Sequence, residues 1–406
     1  MWICCQLGAR EHYSVPLALR RKGKLGGLIT DFWAGHTRLF AGWSARASER
    51  THPELSAEEV VSFPLSLIRF EAGAGIRRLR GWDRIIRRNE WFQHEALKAL
   101  RTIGAAGEQR VLFSYSYAAR RLFEYAKSRG WSTVLGQIDP GPPEERIVQE
   151  LHHKYSSGKV GISAPRRYWE SWRAECDLAD RIVVNSEWSR RALLEEGVSE
   201  QKLDIIPLAF DPPENAKRFR RSYPTKFTSS RPLRALFLGQ INLRKGVPLI
   251  FKAVPALSSR PVEFHFVGSL QMDIPAELAR SQQVYWHGPV SRRQTEQHYR
   301  DADLFLFPTF SDGFGLTQLE ASAWSLPVIA SEFCGDVVED GENGRILRPL
   351  TSEMLVSVLL EFLKEPGKLA ALAKPWDAGD RFSLEALACN LLRATLPGRN
   401  TACLKA

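Results

Sequence analysis

Apolar runs of strand length recur along the whole chain and alternate with helix-sized segments, and this alternation constrains the fold more than any other feature. Strands are predicted at 2–7, 62–70, 110–115, 133–138, 181–185 and 204–208. A second set falls at 235–239, 262–268, 284–286, 304–307, 328–330 and 345–347, with helices such as 247–257 and 294–300 between them. Runs that are apolar throughout suit strands covered on both faces, and a helix between successive strands makes neighbours parallel. Both halves therefore read as α/β. Between them, residues 211–232 carry Pro212, Pro213, Pro224 and Pro232, a cluster of bases and no apolar period, as an interdomain linker does. The predicted division is a first domain over 1–210, the linker over 211–232, a second domain over 233–396 and a flexible tail over 397–406. Two doubly wound domains joined in this way face each other across a cleft at the carboxyl ends of their sheets, where such sheets bind ligands.

A 44% hydrophobic content over 406 residues is ample for two cores. The net charge of +10 favours polyanionic company such as nucleotide phosphates, nucleic acid or anionic lipid. No nucleic-acid-binding motif accompanies the charge, so nucleic acid is not expected. The six cysteines, Cys4, Cys5, Cys176, Cys334, Cys389 and Cys403, include no C-x-x-C pair, which argues against zinc and against a disulfide framework. A reducing cytoplasm is the expected compartment. No apolar run reaches the roughly 18 residues of a membrane span, and residues 1–7 are too short for a signal peptide.

The most informative stretch is 304–331, LFLFPTFSDGFGLTQLEASAWSLPVIAS. A buried strand runs into a loop whose Gly313 and Gly315 leave room for a close ligand, and a helix begins near Leu316. Such a loop aims backbone N–H groups and the positive helix end outward, which suits a diphosphate. Asp312 sits in the loop and Glu320 in the second turn of the helix, two acids at the mouth of one strand. The plain alternative is a turn-forming Asp312 and a solvated Glu320.

The run D-G-F-G-L-T-Q-L-E-A at 312–321 resembles the signature of the family 4 retaining glycosyltransferases of the GT-B fold, an acid and a Glu embedded in E-G-F-G-L-x-x-x-E-A. The resemblance implies two Rossmann-like domains, with a nucleotide diphosphate sugar held by the second and no metal. It assigns Glu320 to the ribose hydroxyls, Asp312 to the sugar, and the loop Gly313, Phe314, Gly315 and Leu316 to the donor. Residues 236–246, LFLGQINLRKG, resemble the family's phosphate-binding loop, which places Gly239 beside the donor and Arg244 and Lys245 on the diphosphate. Many relatives have Arg directly after this glycine, where this chain has Gln240. The segment 284–290, VYWHGPV, resembles the strand and loop that hold the base through main-chain contacts, which brings in Val290; His287 reads as structural. Residues 180–211 resemble the end of the family's first domain, and Ser186 there reads as a helix N-cap.

The first domain should hold the acceptor. One candidate is the loop 8–12, GAREH, where Gly8 permits close approach and Arg10 could meet an anionic acceptor; a surface turn is an equal reading. Asp139, after the strand 133–138, matches the place where many family members carry a histidine or aspartate near the transferred sugar, and Asp before Pro140 is also a common turn. His152 and His153 fall on a helical pattern and are not expected to be catalytic. Over 76–101, Leu79, Trp82, Ile85, Ile86 and Phe92 recur at helical spacing among Arg77, Arg78, Arg80, Arg84, Arg87 and Arg88. This is either a basic amphipathic helix that rests on anionic lipid or a core-facing stripe with a solvated basic face.

The expectation is a metal-independent, retaining glycosyltransferase with no cofactor beyond its nucleotide diphosphate sugar. Its acceptor would be a saccharide or lipid-linked, in glycan or polysaccharide biosynthesis, and its place cytoplasmic or peripheral at the inner face of a membrane. Fixed cations would neutralise the leaving diphosphate. The rivals are a non-catalytic nucleotide-sugar-binding protein and an epimerase or phosphorylase on the same fold.

Overall fold

The computed structural model describes residues 1–36, 50–103, 109–155, 161–375 and 381–396, so the expected tail over 397–406 lies outside the described residues. Its first sheet holds β1 (Trp2–Gln6), β2 (Leu25–Thr30), β3 (Val60–Ser62), β4 (Val111–Tyr115), β5 (Ser132–Gly136), β6 (Arg181–Val184) and β7 (Leu203–Ile205) in the order β3-β2-β1-β4-β5-β6-β7. The second holds β8 (Leu233–Leu238), β9 (Val262–Val267), β10 (Val284–Gly288), β11 (Leu304–Phe307), β12 (Val328–Ala330) and β13 (Gly344–Ile346) in the order β10-β9-β8-β11-β12-β13. Every pairing of these strands is parallel. The central strands β1 and β11 are buried at every residue, as their unbroken apolar runs require. The winding reverses between β1 and β4 and between β8 and β11. A crevice opens off the carboxyl ends of parallel strands at such points, so the two loop pairs after these strands face one another.

Four local expectations are corrected. The run 62–70 is not a strand: β3 ends at Ser62 and a helix, Pro64–Ile76, begins at once, because Pro64 takes the first helical position where its missing N–H costs nothing. Strand β2 escaped notice because Gly26 and Gly27 dilute its apolar run. A side chain at Gly26 would come within 3.2 Å of the Trp2 carbonyl oxygen, so close packing against β1 favours glycine there. The segment 76–101 is not one helix. The first helix stops at Ile76, Arg78 takes a positive φ of 51° in the turn, and a second helix runs from Gly81 to Ile103. Ile86, Phe92, Ala96 and Leu100 of that second helix are buried, so its apolar stripe faces the core.

The linker, the fourth case, is not free of packing. Phe219 sits edge-on to Trp324, Tyr223 O–H donates to the Asp303 carbonyl at 2.8 Å, and the Arg221 guanidinium donates to the Tyr299 and Trp324 carbonyls at 2.7 and 3.0 Å. The end of the chain crosses back: Leu384, Leu387, Ala388, Leu391 and Ala394 of the helix Leu384–Ala394 join the first domain's core beside Val15, Leu19 and Trp2. Among the described residues no helix is long and apolar enough to cross a membrane, and the cysteines are unpaired.

Candidate active site

The cleft is built from four strand ends. After β8 the chain turns through Gly239 to Arg244 and Lys245 and enters the helix Val247–Ala256 at Gly246. Gly246 has a φ of 75°, and a Cβ there would lie 1.7 Å from the Pro308 carbonyl oxygen, so the loops after β8 and β11 touch because this residue has no side chain. The contact is fixed by Phe310 N–H donating to the Arg244 carbonyl at 2.8 Å and by the Thr309 hydroxyl donating to the same oxygen at 3.1 Å. After β11 the glycine loop leads into the helix Leu316–Ala323, whose start follows Gly315 at a φ of 85°. Gly239, Gln240, Arg244, Lys245, Asp312, Phe314, Gly315 and Leu316 thereby line one cavity of about 340 Å³ with Arg10, Glu11 and Ile138 of the first domain.

Charge inside this cavity is paired. Lys245 Nζ forms an ion pair with the Asp312 carboxylate. Arg244 donates to the Ser311 carbonyl at 2.7 Å and lies 3.4 Å from Glu144, which belongs to the first domain's helix Pro142–Tyr155. Burial works to raise the Asp312 carboxyl, but the Lys245 ammonium and Arg244 guanidinium outweigh it and hold it below the usual range. Glu144 goes the other way. Burial, helped by the nearby Asp139 and Asp312 charges, pushes it up to about 7 against the pull of Arg244 and the Ser311 hydroxyl. Sequence reasoning missed Glu144, since the run Pro142, Pro143, Glu144, Glu145 carries only the signal of a helix start.

Gly313 is placed differently from its sequence reading. The missing Cβ of Gly313 accommodates the first domain and not an open ligand face: a Cβ would sit 2.2 Å from the Ile138 carbonyl oxygen. Its own carbonyl accepts from the Ser186 and Ser189 hydroxyls at 2.8 and 3.3 Å. Ser186 is the N-cap expected, accepting from Ser189 N–H at 3.1 Å, and also bridges the domains. Asp139 stands near the cleft as a turn residue, accepting from Gly141 N–H at 2.9 Å and from the Tyr117 hydroxyl.

Glu320 faces a neighbouring cavity of about 560 Å³ with Tyr299, Ser291, Arg292 and Trp324. It accepts from the Tyr299 hydroxyl at 2.8 Å and lies 3.9 Å from His12 Nε2. Burial would raise its carboxyl, and the hydrogen bonds from His12 and Tyr299 bring it below the usual value instead. His12 reaches it from a left-handed turn in which Glu11, His12 and Tyr13 have φ values of 50°, 54° and 66°. Each such residue costs roughly 1–2 kcal/mol, a conformation held by the burial of Tyr13 against Trp33. Val290 lines neither cavity and packs, half-buried, on the second domain's core. Among the described residues no three His, Cys, Asp or Glu side chains converge as metal ligands.

The model of the family described as "Glycosyl transferases group 1" matches residues 232–365, the segment that carries Arg244, Lys245, the glycine loop, Asp312 and Glu320. The match to the glycosyl transferases group 1 family thus falls within the second domain. D-inositol 3-phosphate glycosyltransferase of Rhodococcus erythropolis is 29% identical over 243 residues, covering 53% of this chain and 53% of that protein. The chain thus spans about half the length of curated relatives such as this one. Over the whole molecule it superposes on Anabaena Alr3699/HepE in complex with UDP, with a TM-score of 0.62 at 15% identity over 97% of this chain and 98% of that one. Sucrose-phosphate synthase from Thermosynechococcus elongatus gives a TM-score of 0.66 at 16% identity over 97% of each chain. The two domains together thus form the two-domain GT-B fold.

Proposed function

We propose that this protein is a glycosyltransferase that moves a sugar, with retention at the anomeric carbon, from a nucleotide diphosphate sugar to a saccharide or lipid-linked acceptor in glycan biosynthesis. The observation that carries the reading is the pair Arg244–Lys245 facing Asp312 in an open cavity at the mouth of β8 and β11, beside the start of the helix Leu316–Ala323. Two fixed cations and a helix N-terminus stabilise the charge that builds on a departing diphosphate, the largest single demand of the reaction, without a metal ion. In this reading Glu320 accepts from the ribose hydroxyls and Asp312 orients the sugar. Gly239, Phe314, Gly315 and Leu316 line the donor's path, and Asp139 lies near the transferred group on the acceptor side. HepE in complex with UDP supports a nucleotide donor, and the glycosyltransferases among the relatives support the transfer. A cytoplasmic pool of nucleotide sugar would supply the reaction.

The test pairs calorimetric binding of UDP, ADP and GDP with product formation from the matching sugar nucleotides, with and without chelator. Nucleotide binding, and transfer that survives chelation, are expected. Binding without transfer from any donor would make this a nucleotide-sugar-binding protein, and activity restored only by manganese would overturn the metal-free step.

A further inference from the structure

Six of the large apolar side chains exposed among the described residues gather on one corner of the first domain: Val61, Leu65, Ile68, Ile76, Ile85 and Ile162. Leu65, Ile68 and Ile76, with exposed Ala72 between them, follow spacings of three, four and four residues along the helix Pro64–Ile76, so they form one stripe on its outer face. Leu65 is 69% exposed, and Ile76 and Ile162 are 84% and 85% exposed, far beyond what scattered surface residues need. The inner face of the same helix is anchored. Phe70 stacks on Trp91, and Trp91 Nε1 donates to Ser66 Oγ at 3.0 Å.

Basic residues rim this apolar stripe. Arg69 lies on the helix and Arg77, Arg78 and Arg80 in the turn that follows, and none of the four has an acidic partner among the described residues. Arg84, by contrast, is paired with Glu71 at 2.6 Å. The corner has a definite place relative to the cleft. The helix Gly81–Ile103 leads down to the start of β4, and its contacts Ser66–Trp91 and Glu71–Arg84 make the helix Pro64–Ile76 antiparallel to it. The pair therefore rises from the carboxyl end of the first sheet, the end that faces the cleft. Between this hairpin and the cleft lies a cavity of about 380 Å³ lined by Gln93, Arg120, Arg121, Arg167 and Tyr117, and Tyr117 is bonded to Asp139.

We infer that the hairpin formed by Pro64–Ile76 and the start of Gly81–Ile103 docks on an anionic lipid bilayer, with Leu65, Ile68 and Ile76 entering the headgroup boundary and Arg69, Arg77, Arg78 and Arg80 meeting lipid phosphates. Charge complementarity selects this occupant: an apolar stripe rimmed by unpaired guanidinium groups fits neither neutral lipid nor a like-charged second copy. The apolar element is thus the helix before Ile76 and not the stripe within 76–101, which is spent in the core. The docking stands on the surface alone. Its consequence, a cleft mouth held at the bilayer so that a lipid-linked acceptor enters past Arg121 toward Asp139, rests on the transferase reading.

The experiment is sedimentation of the full chain with vesicles of phosphatidylcholine plus phosphatidylglycerol, against phosphatidylcholine alone. Wild type should pellet with the anionic vesicles only. Ile68→Glu/Ile76→Glu should lower the partition coefficient at least about tenfold, and Arg77→Gln/Arg78→Gln/Arg80→Gln about a hundredfold at low salt. Circular dichroism and UDP calorimetry on the same samples should match wild type, because all five positions are exposed and away from the donor cavity. Vesicle binding unchanged in both variants, or absent in wild type, overturns the docking. So does a concentration-dependent dimer in sedimentation velocity that Ile76→Glu abolishes, since the stripe would then bind a second copy. Loss of UDP binding in wild type would instead count against the transferase reading and leave the vesicle result standing.

Discussion

Arg244, Lys245 and Glu320 already hold partners from their own chain: Glu144, Asp312 and the His12–Tyr299 pair. In the proposed reaction the donor takes these places, so single charges should tune binding sharply. Glu320→Gln should weaken nucleotide affinity about tenfold to a hundredfold, the value of roughly 1.5–3 kcal/mol for a charged hydrogen bond, read by calorimetry. Asp312→Ala should leave nucleoside diphosphate affinity within a few-fold while transfer falls by orders of magnitude, the mark of an interaction made in the transition state. Glu144→Gln should do the reverse of Glu320→Gln and tighten nucleotide binding about tenfold, because Arg244 is freed from a competing carboxylate. Glu144 also carries a pH signature. Its folded pKa of about 7 lies above the ordinary 4.5, so the folded state binds this proton more tightly than the unfolded chain. Its contribution to stability is therefore full below about 4.5, declines as pH rises toward 7 and is level above. Denaturant titrations across that window should give a shallower decline for Glu144→Gln than for wild type.

Elements are held in place by a few buried polar contacts that apolar periodicity does not report. Glu175, fully buried, accepts from the N–H groups of Tyr117, Ala119 and Arg120 at 2.6, 2.9 and 3.2 Å, so it closes the start of the helix Arg120–Ser128 from another helix. Burial pushes its carboxyl up to about 7 in spite of these donors. Glu175→Ala strands three N–H groups and should cost at least about 2 kcal/mol in denaturant unfolding, while Glu175→Gln should recover part of it. The glycine loop obeys a comparable constraint. Gly313→Ala would thrust a methyl group at the Ile138 carbonyl, so it should open the domains and raise the radius of gyration in solution scattering without changing helix content.

At the scale of the whole molecule the two domains share both a cleft and a strap. Contacts across the cleft join Glu144 to Ser311, Ser186 to Gly313, and Trp188 to Ser311, and each lies within the loop that also presents Asp312. The contacts that join the domains are thus the ones that position the site, an arrangement that in the proposed transferase would keep water from the donor. The strap is the final helix Leu384–Ala394, part of the first domain's core. Leu391→Ala should cost about 2–5 kcal/mol and lower the unfolding midpoint of the first domain, although position 391 lies far from it in sequence.

What the sequence determined by itself is what depends on local pattern. Strands β11 and β12 lie at their expected residues, because a wholly apolar run ended by Pro308 or begun after Pro327 has one economical conformation. The group 1 loop, with Asp312 and Glu320 at a fixed offset on one strand–loop–helix unit, was legible for the same reason, as was the capping role of Ser186. Where local signals conflict, the pattern misled: Leu65, Leu67 and Phe70 fit either a strand or a helix, and Pro64 together with Trp91 chose the helix. Only tertiary structure could decide that Glu144 meets Arg244, that Gly313 makes room for Ile138, that His12 reaches Glu320 and that Leu391 belongs with Trp2. Such pairs are joined by the relative placement of two domains, and no short-range propensity encodes the distance between residues about a hundred or more positions apart.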